Sequence, residues 1–166
     1  MAQIHFKGSP IHTSGTLPAI GEAAPDFVLC TGDLEDTALA DFAGKTLILN
    51  IVPSLDTSVC QASARRFNEI LNSLTDVIVA NVSCDLPFAQ GRFCSSEGLD
   101  SVVNLSTFRS PGFANDYGMG IEDGPLRGLL GRAIVLVNPD GTVGYTELVP
   151  EIAQEPNYEA VLNQLG

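Results

Sequence analysis

Thr46-Leu47-Ile48-Leu49-Asn50-Ile51-Val52 is a near-continuous apolar run stopped by Pro53. Such a run suits a strand covered on both faces of a sheet. Proline cannot extend it, because it has no N–H to give to a neighbouring strand. From Ser58 to Leu74 the pattern turns helical, with Phe67, Ile70, Leu71 and Leu74 recurring on one face. Val77 to Val82 is a second apolar strand. Strand, helix, strand in this order is the parallel crossover unit, which places the chain in the α/β class.

Outward from this unit the elements are shorter. Gln3 to Phe6 alternates polar and apolar residues, Lys7-Gly8-Ser9-Pro10 turns, and Ile11 to Thr13 returns as an N-terminal β-hairpin. A short strand is expected over Asp26 to Cys30, then a turn at Thr31-Gly32-Asp33 and a helical turn over Ala40 to Lys45. Phe88 to Glu97 reads as a weak helix, since Gly91 in its middle costs about 1 kcal/mol relative to alanine. Val102 to Leu105 is a short strand, and Pro111 to Tyr117 a short helix with proline at its start. Ala133 to Val137 is the third strong strand. Asn138-Pro139-Asp140-Gly141 turns it into an antiparallel partner over Thr142 to Val149, and Tyr158 to Leu165 closes the chain as a helix. There is no repeat, low-complexity tract or linker. Residues 1–166 read as one domain, a mixed central sheet flanked by helices.

Composition narrows the function. A hydrophobic fraction of 45% supports a packed core, and the net charge of -12 argues against nucleic acid or anionic lipid as a partner. No segment reaches the roughly 18 apolar residues of a membrane span, and the start of the chain lacks a secretory pattern, so a cytoplasmic location is expected. The four cysteines, Cys30, Cys60, Cys84 and Cys94, form no Cys-x-x-Cys pair. That spacing disfavours a zinc site and a thioredoxin-type dithiol, and leaves either inert thiols or redox catalysis. His5 and His12 decorate the hairpin. No flavin or reductase motif is present, and no cofactor is expected.

Pro53-Ser54-Leu55-Asp56-Thr57-Ser58-Val59-Cys60 lies between the first strong strand and the long helix. The N–H groups of a first helical turn have no internal partners and, with the helix dipole, favour negative charge. A cysteine placed there is favoured as thiolate, the form that attacks. Thr57, three residues earlier, can bring its hydroxyl to the sulfur or to a substrate oxygen, and Pro53 can wall the pocket. Periodicity alone, however, puts Cys60 on one face with Ala64, Phe67, Leu71 and Leu74, and makes it an ordinary core thiol. Arg132 at the mouth of an apolar strand is an odd place for a surface charge. It reads either as a solvated strand-end arginine or as a fixed cation aimed at a reacting oxygen.

The Pro53, Thr57 and Cys60 spacing matches the Pro-x-x-x-Thr-x-x-Cys signature of peroxiredoxins. Over nearly its whole length the chain resembles their bacterial thiol peroxidase subfamily. The resemblance is carried by Asn50-Ile51-Val52-Pro53-Ser54-Leu55-Asp56-Thr57, Asp85-Leu86-Pro87-Phe88-Ala89-Gln90, Arg92-Phe93-Cys94, Leu105-Ser106-Thr107-Phe108-Arg109, Asp123-Gly124-Pro125-Leu126 and the absence of Trp. It implies a thioredoxin-like fold and a thiol-specific peroxidase acting on hydrogen peroxide and on alkyl and lipid hydroperoxides. By the same resemblance Cys60 is the peroxidatic cysteine, oxidised to a sulfenic acid. Thr57 hydrogen-bonds the peroxide, Pro53 shields the sulfur and Arg132 polarises the peroxide from across the pocket. Cys94 is the resolving cysteine of an intrachain Cys60–Cys94 disulfide, recycled by thioredoxin in a homodimer. Cys30 and Cys84 are expected as buried structural thiols, and Phe88, Phe93 and Phe108 as an apolar wall or as core. The rival readings are a redox-sensing relay that passes oxidation to a client protein, and a silent scaffold with inert thiols.

Overall fold

The computed structural model describes residues 1–98 and 102–165. Its strands are β1 (Gln3–Phe6), β2 (Ser9–His12), β3 (Val28–Cys30), β4 (Asp36–Ala38), β5 (Thr46–Ile51), β6 (Val77–Ser83), β7 (Val103–Ser106), β8 (Ala133–Val137) and β9 (Val143–Leu148). Its α-helices are α1 (Ser58–Leu71), α2 (Pro87–Glu97), α3 (Gly112–Asp116) and α4 (Tyr158–Asn163). β1 and β2 form a separate hairpin, and the others build a seven-stranded sheet in the order β4-β3-β7-β6-β5-β8-β9. β5, β6 and β7 run parallel, while β8 lies antiparallel to β5 on its other side. The expected crossover unit is therefore present at the centre of the sheet.

Alternation along the strands sends side chains to two cores. Leu47, Leu49 and Ile51 of β5 join Ala80, Val82, Leu105 and Val135 on one face, where Phe113 of α3 stacks on Tyr117 at 4.5 Å. Ile48, Val79, Ile134 and Leu136 face the other way, toward α1, α4 and Phe93 of α2. On that side Phe67 is fully buried and meets Tyr158 edge-on at 5.4 Å. A fully buried side chain of this size stabilises by about 1.5–3 kcal/mol. The sheet is covered on both faces, as the unbroken apolar strands require.

The differences from expectation are local. β4 is an additional strand. It is short and polar, has no apolar pattern of its own, and exists by pairing along β3. β2 begins at Ser9 and includes Pro10, which faces only β1 in a two-stranded ribbon and so costs no central ladder bond. The hairpin is fastened to the body by His12, whose backbone N–H and ring Nδ1 meet the Asp123 carboxylate at 2.7 and 2.6 Å. The helical turn after β4 is a 3-10 turn over Leu39–Phe42. Within α2, a β-carbon at Gly91 would meet nothing within 4 Å, so space does not require glycine there. Its effect is to leave the helix marginal.

Candidate active site

The chain after β5 breaks away at buried Pro53 and re-enters helix at Thr57. Thr57 is the N-cap of α1, extended at φ -118° and ψ 150°. Its Oγ1 accepts from the Cys60 N–H at 3.3 Å and donates to the Ser54 carbonyl at 3.2 Å. The threonine that spacing placed near the sulfur thus also caps the helix carrying it, a common role for Thr before an apolar periodic run. Cys60 is the third residue of α1, within the turn whose N–H groups face outward.

Cys60 is 0% exposed and packs against the α1 side of the sheet, as helical periodicity required of a core thiol. What separates it from an inert one is Arg132. This guanidinium is 1% exposed. Its Nη1 donates to Cys60 Sγ at 3.1 Å and its Nε to the Ile152 carbonyl at 2.8 Å. Among the described residues no carboxylate pairs with it. A buried guanidinium needs hydrogen-bond acceptors, and the Cys60 sulfur and the Ile152 carbonyl supply them. The structure brings Thr57, Cys60 and Arg132 together, with buried Pro53 in the loop that leads to them, and it rules out the solvated strand-end reading of Arg132.

Cys94 sits apart. It is half-buried on α2, and Asn104 Nδ2 on β7 donates to its sulfur at 2.9 Å. Burial pushes the Cys94 thiol up from its ordinary range, and the Asn104 N–H opposes that rise. Arg132, which touches Cys60, leads into β8, whereas Asn104 lies on β7, with β5 and β6 between them. Cys60 is also tied to β5, through Ser63 and Asn50. A disulfide needs Cα atoms within about 7 Å, and all four cysteines are free. A cleft of about 420 Å³ separates the two segments, bounded by Leu55, Asp56 and Gln61 on one side and Asp85, Arg92 and Phe93 on the other.

Asp85 is the residue that sequence reasoning quoted without assigning a task. Its carboxylate accepts from Ser54 Oγ at 2.8 Å, Leu55 N at 2.7 Å and Ser83 Oγ at 2.8 Å, which ties the Cys60 loop to the end of β6. The signal available was an acidic residue just past an apolar strand, where a carboxylate can hold a neighbouring loop. Asp85→Ala is expected to destabilise the protein by at least about 3 kcal/mol, since three hydrogen bonds to a charged group are lost and each contributes about 1.5–3 kcal/mol. A denaturant midpoint equal to that of the parent protein would remove Asp85 from this role.

Two expectations need correction. Cys84 is half-buried rather than buried, because β6 ends at Ser83 and leaves it in the connection to α2. There it accepts a hydrogen bond from the Thr107 hydroxyl at 3.3 Å, and it packs on the face of the sheet opposite Cys60. Of the three phenylalanines, Phe93 alone lines the cleft. Phe88 is 71% exposed and Phe108 44% exposed, the latter beneath the Arg109 guanidinium. Cys30 is fully buried as expected. Among the described residues no cluster of His, Cys, Asp and Glu could hold a metal ion, and no helix is long and apolar enough to cross a membrane.

A capped helix thus carries a buried thiol against a buried arginine at the end of β5, in a chain whose whole length is similar to known proteins. The Redoxin family matches residues 19–162, and the chain belongs to that family. Within it the chain is a peroxiredoxin-type oxidoreductase of the thiol peroxidase kind. It is 54% identical over 166 residues to thiol peroxidases of Mycobacterium bovis and Mycobacterium tuberculosis, covering all of this chain and 99% of each of those proteins. Among solved structures, a peroxiredoxin-like protein from Aquifex aeolicus superposes with a TM-score of 0.93 at 39% identity, over 99% of this chain and 96% of that one. A thiol peroxidase from Chromobacterium violaceum shares the fold with a TM-score of 0.91 at 24% identity, over 98% and 94%.

Proposed function

We propose that this thiol peroxidase reduces hydrogen peroxide and organic hydroperoxides through a Cys60 sulfenic acid and an intrachain Cys60–Cys94 disulfide, recycled by a thioredoxin-type dithiol. The observation that carries this reading is the buried Arg132 guanidinium on the Cys60 sulfur. In the first step the Cys60 thiolate attacks one peroxide oxygen and the O–O bond breaks. The departing oxygen takes a proton and leaves as water or an alcohol. Sulfur loses two electrons and the peroxide gains them. Arg132 and the N–H groups of the first α1 turn face the charge that builds on the oxygens, and Thr57 offers its hydroxyl to the peroxide from the open side.

In the second step the Cys94 sulfur attacks the sulfenic sulfur. The S–O bond breaks, its oxygen leaves as water with the thiol proton, and the S–S bond forms. Arg132 holds the Cys60 sulfur and Asn104 holds the Cys94 sulfur, so closing the bridge breaks both contacts and moves both segments. Gly91 supports such a motion, and unwinding also relieves the burial that holds the Cys94 thiol protonated. A homodimer and a cytoplasmic location belong to the same proposal and rest on the resemblance alone.

The test is to add one equivalent of an organic hydroperoxide to the fully reduced protein and map disulfides by peptide mass spectrometry. A dominant Cys60–Cys94 bridge is expected. A bridge through Cys84 or Cys30 would overturn the resolving assignment, and unmodified Cys60 would overturn the function.

A further inference from the structure

Asn50, Asn81 and Asn104 hold equivalent positions on three adjacent strands. The register pairs Asn50 with Asn81 and Asn81 with Asn104. Alternation puts all three on the face of the sheet that carries α1 and α2, since Ile48 and Val79, two residues from Asn50 and Asn81, pack there. Their amides form a ladder. Asn50 Nδ2 donates to Asn81 Oδ1 at 3.0 Å, and Asn81 Nδ2 donates to Asn104 Oδ1 at 3.2 Å. Asn104 Nδ2 donates to Cys94 Sγ at 2.9 Å and, at 3.4 Å, to the Gln90 carbonyl on the same helix. At the other end Asn50 Nδ2 reaches Ser63 Oγ at 3.4 Å, and the Ser63 hydroxyl donates to the Cys60 carbonyl at 3.0 Å. One chain of side-chain hydrogen bonds therefore runs beneath the sheet's helical layer from the turn that holds Cys60 to the sulfur of Cys94.

Stability alone does not call for three amides there. Apolar residues of similar shape could fill these positions at little or no loss, because a buried hydrogen bond contributes only the surplus over hydration. The ladder even leaves Asn50 Oδ1 buried without a partner among the described residues. What it does supply is direction. Each amide fixes the next, so Asn104 presents an N–H, not its carbonyl, to Cys94.

We propose that Asn104 is a positioning residue for the resolving step, a latch that holds Cys94 on folded α2 and limits how fast the disulfide follows oxidation of Cys60. The proposal rests on the reading of Cys94 as the resolving thiol. The Asn104–Cys94 bond is present before the bridge forms and has to break before the Cys94 sulfur can reach Cys60. An interaction made in the starting state and lost on the way to reaction slows that step. The step itself is the balanced one above: Cys94 sulfur displaces the sulfenic oxygen, which leaves as water. By delaying it, the latch lengthens the life of the sulfenic acid, the species that a second peroxide converts to sulfinic acid.

The experiment uses the full chain with Asn104→Leu, or Asn104→Ala should the leucine fail to fold. Disulfide formation after a peroxide pulse is timed by acid quench and peptide mapping. The Cys94 thiol is titrated separately by thiolate absorbance in proteins whose other cysteines are serine. The variant is expected to close the Cys60–Cys94 bridge about three- to tenfold faster, the factor corresponding to one ordinary net hydrogen bond. Its Cys94 thiol is expected to titrate higher than in the parent, because burial remains and the N–H that opposed it is gone. A general loosening of α2 would also speed closure, but it would expose the thiol and move its titration downward, and that combination overturns the latch. Unchanged or slower closure overturns it as well. Absence of a Cys60–Cys94 bridge in the parent protein would sink the resolving assignment first, whereas a normal parent with an unaltered variant would sink the latch alone.

Discussion

Arg132→Met is expected to lower the second-order rate of Cys60 oxidation by hydroperoxide about 10²- to 10³-fold, the usual loss when one fixed donor aimed at developing oxygen charge is removed. Arg132 is 1% exposed and its Nη1 lies 3.1 Å from the Cys60 sulfur, so the donor it supplies is shielded from bulk solvent. Methionine suits the test because it is unbranched, apolar and adaptable enough to fill the emptied space. The loss of the Nε bond to the Ile152 carbonyl destabilises the fold, while removal of a buried cation acts in the opposite direction. The change in stability is therefore expected to be small beside the change in rate. Arg132→Lys should fall between the two proteins, since a single ammonium cannot hold the Ile152 carbonyl and the sulfur in the fixed geometry of a guanidinium. The measurement is stopped-flow consumption of peroxide under single-turnover conditions, beside a thermal melt. A methionine variant with the parent's rate would reduce Arg132 to a structural role and take away the main support for the mechanism.

That arginine also shows what a sequence can disclose. A charge at the mouth of Ala133-Ile134-Val135-Leu136-Val137 contradicts the pattern around it, and such contradictions often mark chemistry. The central unit was legible for the opposite reason. β5, α1 and β6 are long and strongly periodic, and their patterns survive without knowledge of their neighbours. β4 was not legible, because Asp36-Thr37-Ala38 becomes a strand only against β3. The asparagine ladder was hidden in the same way. Asn50, Asn81 and Asn104 each look like a single polar interruption in an apolar strand. They become one object only when the register of β5, β6 and β7 lines them up. Burial misled in the other direction. Cys84 reads as the tail of an apolar strand, but β6 stops one residue earlier and leaves its thiol half-buried.

Cys94→Ser separates the two halves of the proposed cycle. Its first equivalent of hydroperoxide is expected to disappear at close to the parent's rate, since Cys94 takes no part in the attack by Cys60. The product should then persist as a sulfenic acid that a 1,3-dione traps, and no intrachain bridge should form. Turnover with a dithiol reductant is expected to fall on the order of 10²- to 10³-fold. An intrachain thiol acts at an effective concentration near the millimolar range, whereas an external dithiol at about micromolar concentration must collide with the sulfenic acid itself. The stalled sulfenic acid should also move on to sulfinic acid under repeated peroxide, which mass spectrometry reads directly. Cys84 is not expected to take over. It packs against the core on the face of the sheet opposite Cys60, and its sulfur is engaged by the Thr107 hydroxyl, so local unwinding of α1 does not bring the two together. Cys84→Ser should accordingly turn over like the parent. Sustained turnover by Cys94→Ser would mean that resolution comes from another thiol, in this chain or in a partner. Combining the two substitutions then tests Cys84 as that thiol, because turnover that survives the loss of both Cys84 and Cys94 cannot depend on either.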